Sequence, residues 1–151
     1  GDAAMNLNTF PGDIAQYFSV IHRAFLHDTQ PKYRELSLNA TSAYILVRLA
    51  KYGQSNQNNL AKYLVINKGQ VTREIKRLVD LDLVSKQTMT ENRTANVINI
   101  TEKGQKLIPK IVAIRNEWWQ ARLKNEKIDE NSGFFSAITR IGREVTGQPK
   151  E

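Results

Sequence analysis

Lys68, Arg73, Lys76 and Arg77, with the amide Gln70 and the hydroxyl of Thr72, crowd into the single stretch KGQVTREIKR. Guanidinium, ammonium and amide donors of this reach can hydrogen-bond phosphate oxygens and base edges in a DNA major groove. On that reading Gln70 and Arg73, which can pair two-pronged with a base edge, are the candidates for base contacts. Lys76 suits a phosphate, Lys68 and Arg77 enter or flank the groove, and Thr72 bonds locally or to phosphate. A plainer reading fits the same residues. Val71, Ile75 and Leu78 repeat at four and three residues, and an apolar stripe opposite Lys and Arg is what any solvated surface helix shows. Context has to separate the two.

Asn56 stands where an N-cap acceptor is wanted, ahead of a short helix in which Leu60, Ala61 and Leu64 share a face. Val65, Ile66 and Asn67 make a turn, and Asn67 can cap the second helix. Two short helices around a tight turn, the second one basic, form a helix-turn-helix pattern over residues 56–84.

After Val84 the apolar period changes. Val84 to Thr88 reads as one strand and Asn96 to Ile100, with Val97, Ile98 and Ile100 apolar, as its partner; Thr90 to Thr94 is a polar connection with Arg93 near its tip. A hairpin directly after a helix-turn-helix is a wing, placed to reach the minor groove or its phosphates through Arg93.

Upstream, residues 1–10 show no periodicity and are expected to fray. Pro11, Gly12 and Asp13 signal a helix start, with Asp13 as cap and Gln16 completing a capping box. The helix carries Ile14, Tyr17, Phe18, Ile21 and Phe25 on one broad face, and Thr29 to Ser37, containing Pro31, reads as a connection. Asn39 caps a second helix, Ala40 to Tyr52, stopped by Gly53. Downstream of Thr101 to Gly104 runs a long helix with Leu107, Ile111, Ile114, Trp118, Trp119 and Leu123, its regular hydrogen bonding expected to begin near residues 106–108 because of Pro109. A final helix, capped by Asp129, presents Phe134, Phe135, Ile138, Ile141 and Val145 to about Thr146.

Composition bounds the function. A chain of 151 residues with 40% apolar and 25% charged residues suits one soluble domain. No apolar run approaches the roughly 20 residues of a membrane span, and the N-terminal stretch lacks the pattern of a signal peptide, so a cytoplasmic protein with no membrane partner is expected. The net charge of +7 favours an anionic partner such as nucleic acid, although basic and acidic residues are spread along the chain and any patch must be made by folding. Absence of cysteine removes disulfides and thiol chemistry, and with only His22 and His27 a Cys and His zinc site is excluded. No nucleophile with a matching base, paired carboxylates or glycine-rich phosphate loop is visible, so no enzyme and no cofactor are expected.

The helix order, the run LAKYLVINKGQVTREIKRLVDLDLV and the hairpin ending ENRTANVINITEKG resemble the MarR-type winged helix-turn-helix transcriptional regulators. The residues that carry the resemblance are Leu60 and Ala61; Val71, Thr72 and Arg73; Leu83 and Val84; and Thr101, Lys103 and Gly104. Where that family often has Asp-Arg-Arg at the wing, this chain has Asn92, Arg93 and Thr94, so the second arginine is missing. Asp82 and Val65 stand at two turn positions where glycine is usual. Asp tolerates a left-handed backbone, whereas a β-branched valine resists it, so a different turn geometry is expected at Val65.

The resemblance implies a mainly α fold with a small β-hairpin wing. Within a single domain, 1–151, residues 38–104 would form the DNA-binding part, and 13–30 with 105–147 a helical dimerisation part. It further implies a homodimer on a palindromic operator in double-stranded DNA, acting as a repressor that a small aromatic effector releases. Tyr17, His22, Tyr44 and Trp118 are the candidates for lining an effector pocket, beside the plainer reading that each is core packing. The rival function is a winged helix used for protein contacts without specific DNA binding, since fold does not fix function.

Overall fold

The computed structural model describes residues 10–89 and 92–148. Six helices and one hairpin follow in the order α1 (Asp13–Glu35), α2 (Ala40–Tyr52), α3 (Gln57–Leu64), α4 (Lys68–Asp80), β1 (Val84–Met89), β2 (Asn92–Ile100), α5 (Glu102–Asn125) and α6 (Phe134–Thr146). This is the mainly α architecture with a two-stranded wing that the sequence pattern implies. Residues 1–9, expected to fray, lie outside the described residues.

The core belongs to the middle of the chain. Ala43, Ile45, Leu46 and Leu49 of α2, Leu60 of α3, and Val71, Ile75 and Leu78 of α4 are buried together. Leu83, Val84 and Ile98 of the wing base and Ile111 of α5 join the same cluster. Tyr33 extends it into α1. The termini are different. Tyr17, Phe18, Phe135, Ile141 and Val145 expose 62, 49, 73, 57 and 68% of their surface, so the ends of the chain carry apolar area that the single chain does not cover.

Several boundaries depart from local sequence rules. Asp13 does not cap α1; Gly12 is the N-cap residue without a side-chain bond, and Asp13 occupies the first turn, where its charge still favours the helix dipole. α1 also runs through the segment expected to be a connection, across Pro31 to Glu35. Pro31 and His27 are both exposed, so water can hydrate the carbonyl that proline leaves without a donor, while Phe25, Thr29 and Tyr33 hold the buried face. Pro109 follows the same logic. α5 is helical from Glu102, capped by Thr101, because Pro109 and Gln105 face solvent.

The last helix begins at Phe134 after Gly133, later than Asp129; that carboxylate accepts from Asn131 N within the preceding turn. Both strands are longer than their apolar patterns. β1 and β2 pair antiparallel with Val84 opposite Ile100 and Thr88 opposite Asn96, and β2 begins at Asn92 inside the expected connection. A further pairing joins Ser55, between α2 and α3, to Ile98 through bonds of 3.0 and 2.8 Å, tying the wing to the helix-turn-helix. Among the described residues no helix is long and apolar enough to cross a membrane.

Candidate nucleic-acid interface

Three asparagines set the start of three successive helices. Asn39 Oδ1 accepts from Ser42 N, Asn56 Oδ1 from Asn59 N and Asn67 Oδ1 from Gln70 N, at 2.8, 2.8 and 2.7 Å. Each bond satisfies one of the amides that a helix N-terminus leaves without a partner. Between α3 and α4 the chain turns at Val65, whose φ of 55° and ψ of 49° are left-handed. The expectation of another geometry there is therefore corrected. Ile66 N donates back to Ala61 O, closing the helix end, and the turn imposes its backbone on a residue that resists it. Asp82 is left-handed too, with φ of 59°.

α4 buries Val71, Ile75 and Leu78 and turns its other faces outward. Lys68, Thr72, Arg73 and Lys76 are exposed, and Gln70 is half-buried. Lys68, Arg73 and Lys76 side chains have no acceptor or carboxylate partner among the described residues. Thr72 Oγ1 donates to Lys68 O at 2.9 Å, a bond within the helix. Gln70 reaches Thr41 Oγ1 only at 3.5 Å, so its amide is nearly uncommitted.

Arg77 sits differently from its neighbours. Its Nη1 donates to Ser37 O at 2.9 Å, Nη2 to Ser42 Oγ at 3.4 Å, and Nε stands 3.5 Å from Glu74 Oε2. Glu74 in turn accepts from Asn39 Nδ2 at 2.8 Å. These contacts fix α4 against the start of α2, a role that sequence reasoning did not assign to Arg77, Glu74 or Asn39. One local signal was present: an acidic residue three positions before Arg77 on one helix face.

The junction from α4 into the wing uses the Thr101, Lys103 and Gly104 signature. Thr101 Oγ1 donates to Asp82 O at 2.7 Å and accepts from Gly104 N at 3.0 Å, while Lys103 Nζ donates to Leu81 O at 3.0 Å. A β-carbon on Gly104 would overlap the Leu83 carbonyl oxygen and lie 2.8 Å from Ile100 Cγ1. Arg93 falls in β2, but its side chain lies outside the described residues, as do those of Asn92 and Thr94.

The four aromatic and histidine candidates for an effector pocket are dispersed. Tyr17 and His22 lie exposed on α1. Trp118 packs edge-on to Phe25 and Trp119, both at 5.3 Å, and donates from Nε1 to Asp28 Oδ2 at 2.9 Å. That bond, followed by the one from His27, holds the Asp28 carboxyl below its ordinary range. Tyr44 lines a cavity between α2, α3, α5 and α6, and burial pushes its phenol pKa upward. Neighbouring Tyr33 is pushed up to about 12, mainly by burial.

A helix-turn-helix whose basic second helix is exposed, followed by an antiparallel hairpin, makes this a winged helix-turn-helix protein. Comparison with known proteins agrees. Residues 38–94 match the model of the MarR family. The solved structure of the transcriptional regulator SlyA is 26% identical, with 89% of this chain and 95% of that one covered and a TM-score of 0.77. A MarR transcriptional regulator from Methanosarcina mazei Go1 is 28% identical, over 87% of this chain and 94% of its own, at a TM-score of 0.76. A MarR family regulator from Listeria monocytogenes, solved with a 26mer DNA, shares the fold at 24% identity, covering 92% of this chain and 98% of its own, with a TM-score of 0.78. The chain is thus similar to MarR-family proteins over residues 38–94 and, over most of its length, to solved transcriptional regulators.

Proposed function

We propose that this regulator is a cytoplasmic homodimer that binds a palindromic operator in double-stranded DNA and represses transcription until a small-molecule effector releases it. The observation that carries the reading is the exposed face of α4, where Lys68, Arg73 and Lys76 point outward with no partner among the described residues while Val71, Ile75 and Leu78 anchor the helix in the core. Charged donors held on a rigid helix and left unpaired suit the phosphates and base edges of a major groove. On this reading Gln70 and Arg73 contact bases, Lys76 and Lys68 phosphates, and Arg93 the minor groove.

The apolar area at the two ends of the chain supports dimerisation. Ile14, Tyr17 and Phe18 of α1 and Phe135, Ile141 and Val145 of α6 are uncovered, and a second copy related by a twofold axis would bury them. One recognition helix reads few base pairs, whereas two reach half-sites about 34 Å apart. Residues 38–104 then form the DNA-binding part and 13–30 with 105–147 the dimerisation part. The Listeria relative bound to DNA supports the mode of action for the family.

Selection of bound fragments from genomic DNA, followed by affinity measurement across salt, tests the proposal. Recovery of one palindromic sequence, with affinity falling by about 10³ or more between 50 and 200 mM salt, is expected of a dimer on many phosphates. Recovery of no preferred sequence, or salt-insensitive binding, overturns it.

A further inference from the structure

The outward face of α4 carries one residue whose type the fold does not ask for. Gly69, Arg73, Lys76 and Asp80 recur at four, three and four residues on the side opposite Val71, Ile75 and Leu78. Gly69 is helical and exposed, without the positive φ that calls for glycine elsewhere in the chain. A β-carbon there would meet Asn67 Oδ1 at 3.4 Å and Arg73 Nη1 at 3.6 Å, both ordinary van der Waals contacts, so alanine fits. Glycine weakens a helix relative to alanine. What it leaves is a space on the surface, beside the Arg73 guanidinium and at the end of the face away from the exposed Asp80 carboxylate, which would repel phosphates.

Thr72 stands three residues on from Gly69, at the edge of the same space. Its hydroxyl is committed: Oγ1 donates its proton to Lys68 O at 2.9 Å, back along the helix. A phosphodiester oxygen only accepts, so while that bond holds Thr72 has no proton to give to a phosphate or a base acceptor. The bond also selects one of the two rotamers that a helical threonine can take. With Oγ1 turned onto the backbone, the Cγ2 methyl is the part of this exposed side chain left to meet a partner. Side chains on a helix lean over the turn before their own Cα, which brings that methyl toward the bare Gly69 turn. A threonine methyl beside a missing side chain makes a small apolar step, with the exposed Lys68 and Arg73 as its cationic neighbours.

In the major groove the methyl group that a standard base offers is the 5-methyl of thymine. We propose that Gly69 and Thr72 form a thymine-reading pair: in each half-site the 5-methyl of one thymine sits in the space above Gly69, against the Thr72 methyl. Arg73, beside the same space, pairs with a base of an adjoining step. An alanine side chain in place of Gly69 would occupy the position the thymine methyl takes, which gives the glycine its reason. This inference rests on the DNA reading above. It adds a base identity that the charged and amide donors of α4 do not supply, because a hydrogen-bond donor does not register a methyl group.

The test replaces thymine by uracil, which removes the methyl and nothing else, at each thymine in turn in the selected DNA fragment, with affinity for the full chain read by fluorescence titration. At one position in each half-site the loss of the methyl is expected to weaken binding about fourfold, as burial of one such group implies. Thr72→Ser, which keeps the hydroxyl and its bond to Lys68 O, should bring the preference for thymine over uracil at that position to about onefold. Thr72→Val, which keeps a methyl and loses the hydroxyl, should retain the preference. Gly69→Ala should abolish or reverse it, while unfolding at no lower a temperature than the native chain. Selective DNA binding in which no thymine is sensitive, or a preference that survives Thr72→Ser, overturns the methyl reading and leaves the DNA reading standing. A preference lost in Thr72→Val assigns the discrimination to the hydroxyl and overturns the methyl reading too. Absence of sequence-selective DNA binding removes both.

Discussion

Asn39 Nδ2 and Glu74 Oε1 lie 2.8 Å apart, so the residue that caps α2 also holds α4. The two ends of one amide have separate tasks. Oδ1 accepts from Ser42 N and starts α2, while Nδ2 donates across to a Glu74 side chain that is only 15% exposed. Arg77 closes the group from the other side through Ser37 O.

Replacing Asn39 by Asp separates those tasks. The cap acceptor remains, but a carboxylate now faces the Glu74 carboxylate where a donor stood. We expect a loss of about 1–3 kcal/mol at neutral pH, from the lost bond and the like-charge contact. Adding Glu74→Gln restores a donor and acceptor pair with the polarity reversed, and should recover most of the loss. Urea unfolding of the two single variants and the double variant checks this; strictly additive effects would show that the residues do not act as a pair.

Arg73 and Arg77 look equivalent in the sequence and are not equivalent in the fold. Arg73→Ala should leave the unfolding midpoint nearly unchanged and weaken binding to the selected operator by about 1–3 kcal/mol, as loss of a base contact does. Arg77→Ala removes donors from Ser37 O and should lower stability by about 1 kcal/mol. Its effect on DNA should follow from a loosened α4, spread evenly over operator and non-operator sequences. Fluorescence titration with both DNAs beside thermal unfolding distinguishes the two; an operator-selective loss in Arg77→Ala would mean that residue contacts the groove directly.

These contrasts mark what a linear reading can reach. Asn39, Asn56 and Asn67 were legible as caps because a cap is a local device, an acceptor three residues before the amide it receives. The stripe of Val71, Ile75 and Leu78 was legible for the same reason. Asp13 and Asp129 imitate that device, but the helices start at other residues, fixed by where Phe25, Thr29 and Tyr33 of α1 must be buried and by the Gly133 turn. Pro31 and Pro109 read as breaks, and tertiary packing overrode them because the carbonyls they orphan face water. Asn39 and Glu74 are 35 residues apart in the chain, and no local rule pairs them. The cavity that Tyr44 lines is assembled from α2, α3, α5 and α6, so its lining was visible only as residues scattered along the sequence.

Val65 holds a left-handed backbone at φ of 55° with 68% of its surface exposed. A β-branched residue in that region is strained by about 1–3 kcal/mol, whereas glycine there costs chiefly the entropy of the unfolded chain, about 0.4–1 kcal/mol. Little burial is lost at so exposed a position. Val65→Gly should therefore raise stability by about 1 kcal/mol, read as a higher urea midpoint with an unchanged slope. A destabilised variant would mean that the turn depends on valine contacts rather than tolerating the residue.

Gly104 makes the opposite case, a glycine needed for space and not for its backbone angles. α5 begins so close to the wing base that a methyl group would drive into the Leu83 carbonyl, which already accepts from Thr101 N at 3.0 Å. Backbone cannot swing aside as a flexible side chain would, so Gly104→Ala must push α5 away from Leu83 and Ile100. The expected cost is about 1–3 kcal/mol or somewhat more, by the measure of overpacked cores. In the proposed dimer α5 links the wing to the paired chain ends, so the same displacement should alter how two recognition helices are spaced. Operator affinity should then fall further than non-operator affinity, even at temperatures well below unfolding. Thermal denaturation and titration with the two DNAs check both parts. Unchanged stability would show that the contact with Leu83 yields easily, and a lost midpoint with intact operator selectivity would confine Gly104 to holding the fold.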